Sequence, residues 1–406
     1  MITMEDAIEQ VVEATSLIES SRVDLADARD RILAEDVHSD LNMPPFDKAT
    51  MDGYAVIESD IKDTTKDNPR VLEVIEEIPA GSVPTKTLSS GQAARIMTGA
   101  PVPSGADAVV MVEDTITDQD GGSVHILDSS APGRNIVPLG EDVRKEQKVL
   151  SLGSRIRPPE IGILAAVGCV DVPVRRQPVV AIVATGSEIV EPRNAPGMGQ
   201  IRNTNGYSMA AQIEHIGAEA RYLGIVPDDA GDLENVISRG LEECDVFLLS
   251  GGVSAGLYDL VQGAMNSCGV TVHFDRIKMK PGKPLTFGTR GEKLIFGLPG
   301  NPVSAVVGLE LLVRPAIRKM QGFSPLHHTT VTGTLQDGFQ QAPGRKQFVP
   351  ASSAQEDGRW RANWVGHHGS ADLFSLTNAN SLFVVDAEIE ELKEGSDVEI
   401  ILLEGW

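Results

Sequence analysis

The spacing of apolar residues changes three times along the chain. Over residues 5–20, Ala7, Ile8, Val11, Val12, Leu17 and Ile18 recur close to the period of one helix face. Residues 25–36 place Leu25, Ala28, Ile32 and Leu33 on one side and predict a second, shorter helix. "MPPFDKATMDGYAV" (43–56) breaks both periods with two prolines and a polar run. From about 57 to 140 the pattern is of short strands, "RVLEVIEEI", "GQAARIMTGAPV", "ADAVVMVEDT" and "SVHIL", cut by Gly, Pro and Asp turns. "PPEIGILAAVG" (158–168) returns to helical character. Helices, a β-rich module and a helix again predict an insertion into a helical domain.

Residues 178–320 alternate differently. "PVVAIVATG" (178–186), "DVFLLSGG" (245–252) and "KLIFGLPGNP" (293–302) are strands apolar on both faces, each running into a glycine-containing loop. Helical segments lie between them at 206–216 and 230–243, and the apolar helix "SAVVGLELLVRPAIRKM" closes the section. Strand–loop–helix repetition with apolar strands predicts a parallel, doubly wound α/β sheet. In such sheets ligands bind beyond the carboxyl ends of the strands. After 325, "TTVTGTL", "RKQFVPA", "RWRANWV", "SLFVVD" and "DVEIILL" predict a small β sandwich or barrel.

Charge alters this picture at one place. The 406 residues, enough for two to four domains, carry 58 acidic and 35 basic side chains, a formal charge of −23. That field argues against nucleic acid or an anionic membrane as the main partner. Yet "FDRIKMKPGKPLTFG" (274–288) gathers Arg276, Lys278, Lys280 and Lys283 around Pro281, Gly282 and Pro284. The bland reading is a solvated charged face; the sharper one is a local anion site. In an extended segment Arg276, Lys278 and Lys280 share one face. Cys169, Cys244 and Cys268 have no paired spacing, which fits a reducing compartment. The acidic, amphipathic N-terminus is not a signal peptide, and no apolar run approaches the ~18 residues of a membrane span. The expectation is a soluble cytoplasmic protein.

Three loops follow the three strands. "ATGSEIV" groups Thr185, Gly186, Ser187 and Glu188; "SGGVSAGLYD" offers Ser250, Gly251, Gly252, Ser254 and Asp259; "GLPGNPVSA" brings Pro299, Gly300, Asn301 and Ser304 to the start of a helix. Any one is readily a tight strand-to-helix turn. Three at one sheet edge point to a ligand, because glycine lets backbone N–H groups approach phosphate. None is a Walker loop or a dinucleotide fingerprint. Glu188, Asp228 and Asp259 could supply the carboxylates that Mg²⁺ takes beside substrate phosphate, although Asp228 taken singly reads as the N-cap of the 230–243 helix. Asp52-Gly53 reads as a turn, and Thr98 sits in a polar, proline-rich stretch that could meet ligand. His327-His328 and His367-His368 read as solvent-facing.

With these pieces placed, the chain resembles the MoeA/gephyrin E-domain family of molybdopterin molybdenumtransferases. The resemblance rests on "PPFDKATMDGYAV", "RIMTGAPVPSGADAVVMVED", "VVAIVATGSEIV", "LGIVPDD", "LLSGGVSAGLYD", "MKPGKPLTFG" and "GLPGNPVSAVVGLELLVRP", in that order over nearly the whole length. It implies a helical linker domain (1–43 and 141–176), an inserted β domain (44–140), a molybdopterin-binding-type α/β domain (177–325) and a C-terminal β-barrel (326–406). It implies a homodimer whose cleft joins the α/β domain of one subunit to N- and C-terminal parts of the other. The implied reaction puts molybdenum from molybdate onto the dithiolene of adenylated molybdopterin and releases AMP with Mg²⁺. The resemblance carries catalytic roles to Asp52, Thr98, Glu188, Asp228 and Asp259, and metal binding to Glu188, Asp228 and Asp259. It carries substrate binding to the three loops, Arg276, Lys280 and Pro281, and, in the C-terminal domain, to Arg345 and Ser370. There the chain departs from the family pattern, with Ala371 and Asp372 where a Ser and often an Arg stand. Molybdopterin adenylyltransferase and molybdoenzymes are the implied protein partners. Two rival readings are a receptor-anchoring scaffold of the gephyrin type, for which no added interaction region is present, and adenylyl transfer to molybdopterin, against which the large β modules argue.

Overall fold

The computed structural model describes residues 1–251, 258–366 and 369–405, apart from the side chains of Tyr258 and Asp259. It divides into two compact units: Val23–Arg29 with Glu35–Val172, and Met1–Arg22, Asp30–Ala34 and Pro173–Trp406.

The first unit is built on a six-stranded sheet, in the order Ala108–Met111, Gly53–Val56, Gln92–Ile96, Arg70–Ile78, Ser123–Ile126 and Thr115–Thr117. Successive residues of one strand serve opposite faces. Tyr54 and Val56 enter a core with Leu72 and Val110, whereas Ala55 enters a second with Ile78 and Ile96. The helix Pro158–Ala166 forms where its apolar spacing predicts, and at its first turn the Glu160 carboxylate accepts from both the backbone N–H and the guanidinium of Arg157.

In the second unit the helix Met4–Ala14 is shorter than the 5–20 pattern. Its first turn is held by a Thr3–Asp6 capping box, and the Thr15 hydroxyl donates back to the Val11 carbonyl at the far end. Ser20–Asp24 is extended. The helix expected over 25–36 does not form. Only Leu25–Asp27, which belongs to the first unit, makes a single 3₁₀ turn, after which Asp30 takes φ +63°, a left-handed conformation that no α-helix accommodates. Leu33 and Ile32 are nonetheless buried, so the apolar positions marked burial without marking helix.

The α/β sheet has six strands in the order Glu219–Val226, Val179–Thr185, Val246–Ser250, Lys293–Leu298, Thr286–Arg290 and Thr271–Phe274. The first four are mutually parallel; Thr286–Arg290 runs against them and Thr271–Phe274 pairs antiparallel with it to finish the edge, a departure from the all-parallel expectation. The sheet is wound on both faces. Val180, Ile182 and Leu248 pack with the helix Asn205–His215 and residues 303–320. Ala181, Val183 and Leu249 pack with the helices Ala230–Glu243 and Tyr258–Ser267. Residues 302–320 form one helical run with a π turn at Leu309–Val313. Pro315 has no N–H to give the Leu311 carbonyl, and the Arg314 N–H reaches back five residues to Leu309.

All five strands expected after 325 form, and they close into a barrel. Thr330–Leu335, Arg359–Trp364, Lys346–Glu356, Ser381–Val385 and Asp397–Leu402 pair in a ring around Val349, Phe383, Val398 and Ile400. Met279–Lys280, from the basic segment, adds to this barrel in parallel with the start of Lys346–Glu356. Among the described residues no helix is long and apolar enough to cross a membrane.

Candidate functional site

At the carboxyl edge of the parallel strands the loops meet around a cavity of about 790 Å³. Thr185, Gly186 and Glu188 line it, with Asp228, Ser250, Gly251 and the segment Pro299–Asn301. Asp228 is not the helix cap that its position suggested. Asp229 takes that role, accepting from the Gly231 and Asp232 N–H groups, which leaves the Asp228 carboxylate to the loop. The Thr185 hydroxyl donates to Asp228 Oδ1 at 2.6 Å and the Ser187 N–H to Oδ2 at 3.3 Å. The Glu188 carboxylate folds over Gly186, so that a Cβ there would lie 2.7 Å from Oε2. Gly251 is fixed by two constraints: its φ is +101°, and a Cβ would stand 2.2 Å from the Thr185 carbonyl oxygen.

Asn205 and Phe374 are among the lining residues that were not singled out from the sequence. Asn205 is 7% exposed; its Nδ2 donates to Ser250 Oγ at 2.7 Å and to the Gly300 carbonyl at 2.9 Å. It thereby ties the second and third glycine loops together, and its Oδ1 is buried without a partner among the described residues. "NTN" before an amphipathic helix was the available signal, and it reads as no more than a cap. Phe374 also lines the cavity while 86% exposed.

A second cavity, of about 820 Å³, lies where the α/β domain meets the barrel. Lys280, Pro281, Lys283, Ser304, Arg345 and Ser370 line it, with Gln347 and Trp364 from the barrel. The two cavities share Pro284, Pro299 and Asn301. Asn301 Nδ2 donates to Ser370 Oγ at 2.8 Å, and the Ser370 carbonyl accepts from the Val303 N–H. Of the departures after Ser370, Ala371 lines the first cavity and Asp372 caps the 3₁₀ turn Leu373–Asn378.

The basic run splits. Ile277 and Met279 are fully buried, so Arg276, Lys278 and Lys280 do turn away from the core as the alternation requires. Face is not position, however. Arg276 lies four residues, about 13 Å of strand, from Lys280 and lines neither cavity, and its carbonyl accepts from the Ile2 N–H. Lys283, left open between solvent and site, does line the second cavity.

Asp52 and Thr98 belong to the other unit and are held together there. The Thr98 N–H and hydroxyl both donate to Asp52 Oδ1 at 2.7 Å, which holds the Asp52 carboxyl below its ordinary range. Gly252, Ser254, the Asp259 side chain and His367-His368 lie outside the described residues. Among the described residues no group of three metal-ligating side chains is assembled. His328 is not solvent-facing: it is 7% exposed and its Nε2 lies 2.8 Å from the buried Glu310 carboxylate.

A doubly wound α/β domain with glycine loops at its carboxyl edge, joined to a β-barrel across a cationic cavity, defines a multidomain α/β protein with an anion-compatible ligand site at its sheet edge. Three family models match in succession: "MoeA N-terminal region (domain I and II)" over residues 2–168, "Probable molybdopterin binding domain" over 181–319 and "MoeA C-terminal region (domain IV)" over 332–403. A Bacillus subtilis (strain 168) protein named molybdopterin molybdenumtransferase is 34% identical over 99% of this chain and 94% of its own. One from Nostoc sp., of the same name, is 38% identical over 94% and 88%. The crystal structure of the molybdopterin biosynthesis MoeA protein from Pyrococcus horikoshii superposes with a TM-score of 0.87 at 32% identity, covering both chains completely. The chain belongs to the MoeA family of molybdopterin molybdenumtransferases.

Proposed function

We propose that this chain inserts molybdenum from molybdate into adenylated molybdopterin and releases AMP. The observation that carries the reading is the pair of adjoining cavities: one lined by phosphate-compatible loops and carboxylates, the other by Lys280, Lys283 and Arg345, with Pro284, Pro299 and Asn301 in both. The loop cavity suits a phosphorylated pterin nucleotide. The cationic one suits a tetrahedral dianion, which a molecule of charge −23 would otherwise repel. At an effective dielectric near 20, one opposite charge ~4 Å away contributes roughly 4 kcal/mol before desolvation.

In this reading catalysis is positioning and electrostatics. Asp228 fixes the Thr185 hydroxyl and the Ser187 N–H, and so sets the shape of the first loop against the phosphates. Asn205 locks Ser250 to Gly300 and keeps the second and third loops in register. Mg²⁺ fits the donor set, since Glu188 and Asp228 line one cavity and this ion takes one or two carboxylates and completes its shell with phosphate and water. When bound it would offset charge on the pyrophosphate oxygens. The reading extends to a cytoplasmic homodimer, with the Asp52–Thr98 pair of a second copy facing the loops.

The test supplies purified protein with adenylated molybdopterin and Mg²⁺ and follows AMP. Release that requires added molybdate is expected. Release without molybdate dependence, or consumption of ATP with formation of adenylated molybdopterin when ATP and molybdopterin are supplied instead, would overturn the reading.

A further inference from the structure

Gln347 is out of place as a core residue. In the strand Lys346–Glu356 it shares a face with Val349 and sits opposite Val385, both of which are packed in the barrel interior. An apolar side chain would extend that core without penalty. Instead there is a carboxamide, 4% exposed, whose Oε1 is buried with no hydrogen-bond partner among the described residues. Buried amide oxygens are rarely left so, because burial without a partner forfeits a hydrogen bond to water.

Its surroundings supply the reason. Gln347 stands at the end of the barrel that opens into the cationic cavity, and it is one of that cavity's lining residues. Lys280 is its direct neighbour in the parallel pairing, and Arg345, two residues earlier, also lines the cavity. Lys346 between them turns the other way, to Glu5 at 2.7 Å, as strand alternation requires. A neutral group with one donor end and one acceptor end is therefore set beside fixed cations.

We propose that Gln347 is an anion-binding residue of this cavity. Its Nε2 donates to a tetrahedral oxyanion, and its orphaned Oε1 accepts from the Lys280 ammonium group brought in against the same anion. The inference rests on the molybdate reading of the cavity and adds to it an uncharged contact, whose geometry discriminates by shape where the lysines supply only charge.

The experiment measures molybdate binding to the full-length protein without pterin, by calorimetry and by the fluorescence of Trp364, which lines the cavity. Parent, K280A, Q347L and Q347M are compared, each shown folded by its melting transition; the two apolar variants keep the volume and remove the amide. Loss of a hydrogen bond to a charged ligand predicts Kd about 10- to 100-fold weaker in Q347L and Q347M, with unchanged or raised stability. An unchanged Kd in both, with K280A weakened, overturns the role of Gln347 and leaves the cavity's assignment standing. A parent that binds no molybdate overturns both. AMP release, assayed separately, tests the proposed reaction independently of either result.

Discussion

Asp228 has both carboxylate oxygens engaged by the turn it supports, so its loss should be felt as misplacement as well as lost charge. Asp228→Ala is expected to reduce molybdate-dependent AMP release by about 100-fold or more, and a rate near the parent's in a single-turnover AMP assay would exclude the role. Gly251→Ala tests the close approach to Thr185. With φ at +101° and 2.2 Å of room, the variant should lose roughly 1–3 kcal/mol by urea unfolding together with affinity for the pterin nucleotide. At this scale the sequence told residue types well and directions poorly. Two aspartates in tandem, Asp228 and Asp229, are equivalent as letters, and only the path of the turn decides which one caps the helix and which one faces the cavity. His328 looked like loop surface because its partner, Glu310, is 18 residues away in a helix.

Among elements, the register of the central strands is secured at their amino ends. Arg176 forks onto both Asp245 oxygens at 2.7 and 2.9 Å, and the Val179 N–H donates to the same carboxylate. Burial pushes the Asp245 carboxyl up, but these donors outweigh it and hold the group below its ordinary range. A depressed carboxyl stabilises the fold above its unfolded pKa of about 3.9 and loses that contribution as pH falls through the folded value. Asp245→Asn should therefore lower stability by roughly 1–3 kcal/mol at neutral pH, and the deficit should shrink as the medium is acidified toward pH 3. A deficit constant with pH in denaturant titrations would contradict the assignment. Strands and long helices were legible because burial imposes their period. The 25–36 segment was not, since apolar residues at helical intervals also serve an irregular chain turned at Asp30.

Over the whole molecule, a cationic pocket inside an acidic chain predicts strong salt dependence. Lys280→Ala and Arg345→Ala should each raise the molybdate concentration needed for half-maximal AMP release by about tenfold, and the penalty should narrow as ionic strength rises. A salt-independent penalty measured from 0.05 to 0.5 M salt, values about those that span strong to weak screening, would argue for packing rather than charge. What no pattern along the chain disclosed is that Met279–Lys280 leaves the α/β domain and joins the barrel, alongside residues more than sixty positions later. Local periodicity says which way a side chain points; only long-range pairing says what it meets.

Asn301, Pro284 and Pro299 thus form a party wall between the chambers. On the proposed function each chamber holds one ligand, and a rearrangement that one imposes on the wall reaches the other. Thermodynamic reciprocity then fixes the bookkeeping: the factor by which pterin nucleotide changes the grip on molybdate must equal the factor by which molybdate changes the grip on pterin nucleotide.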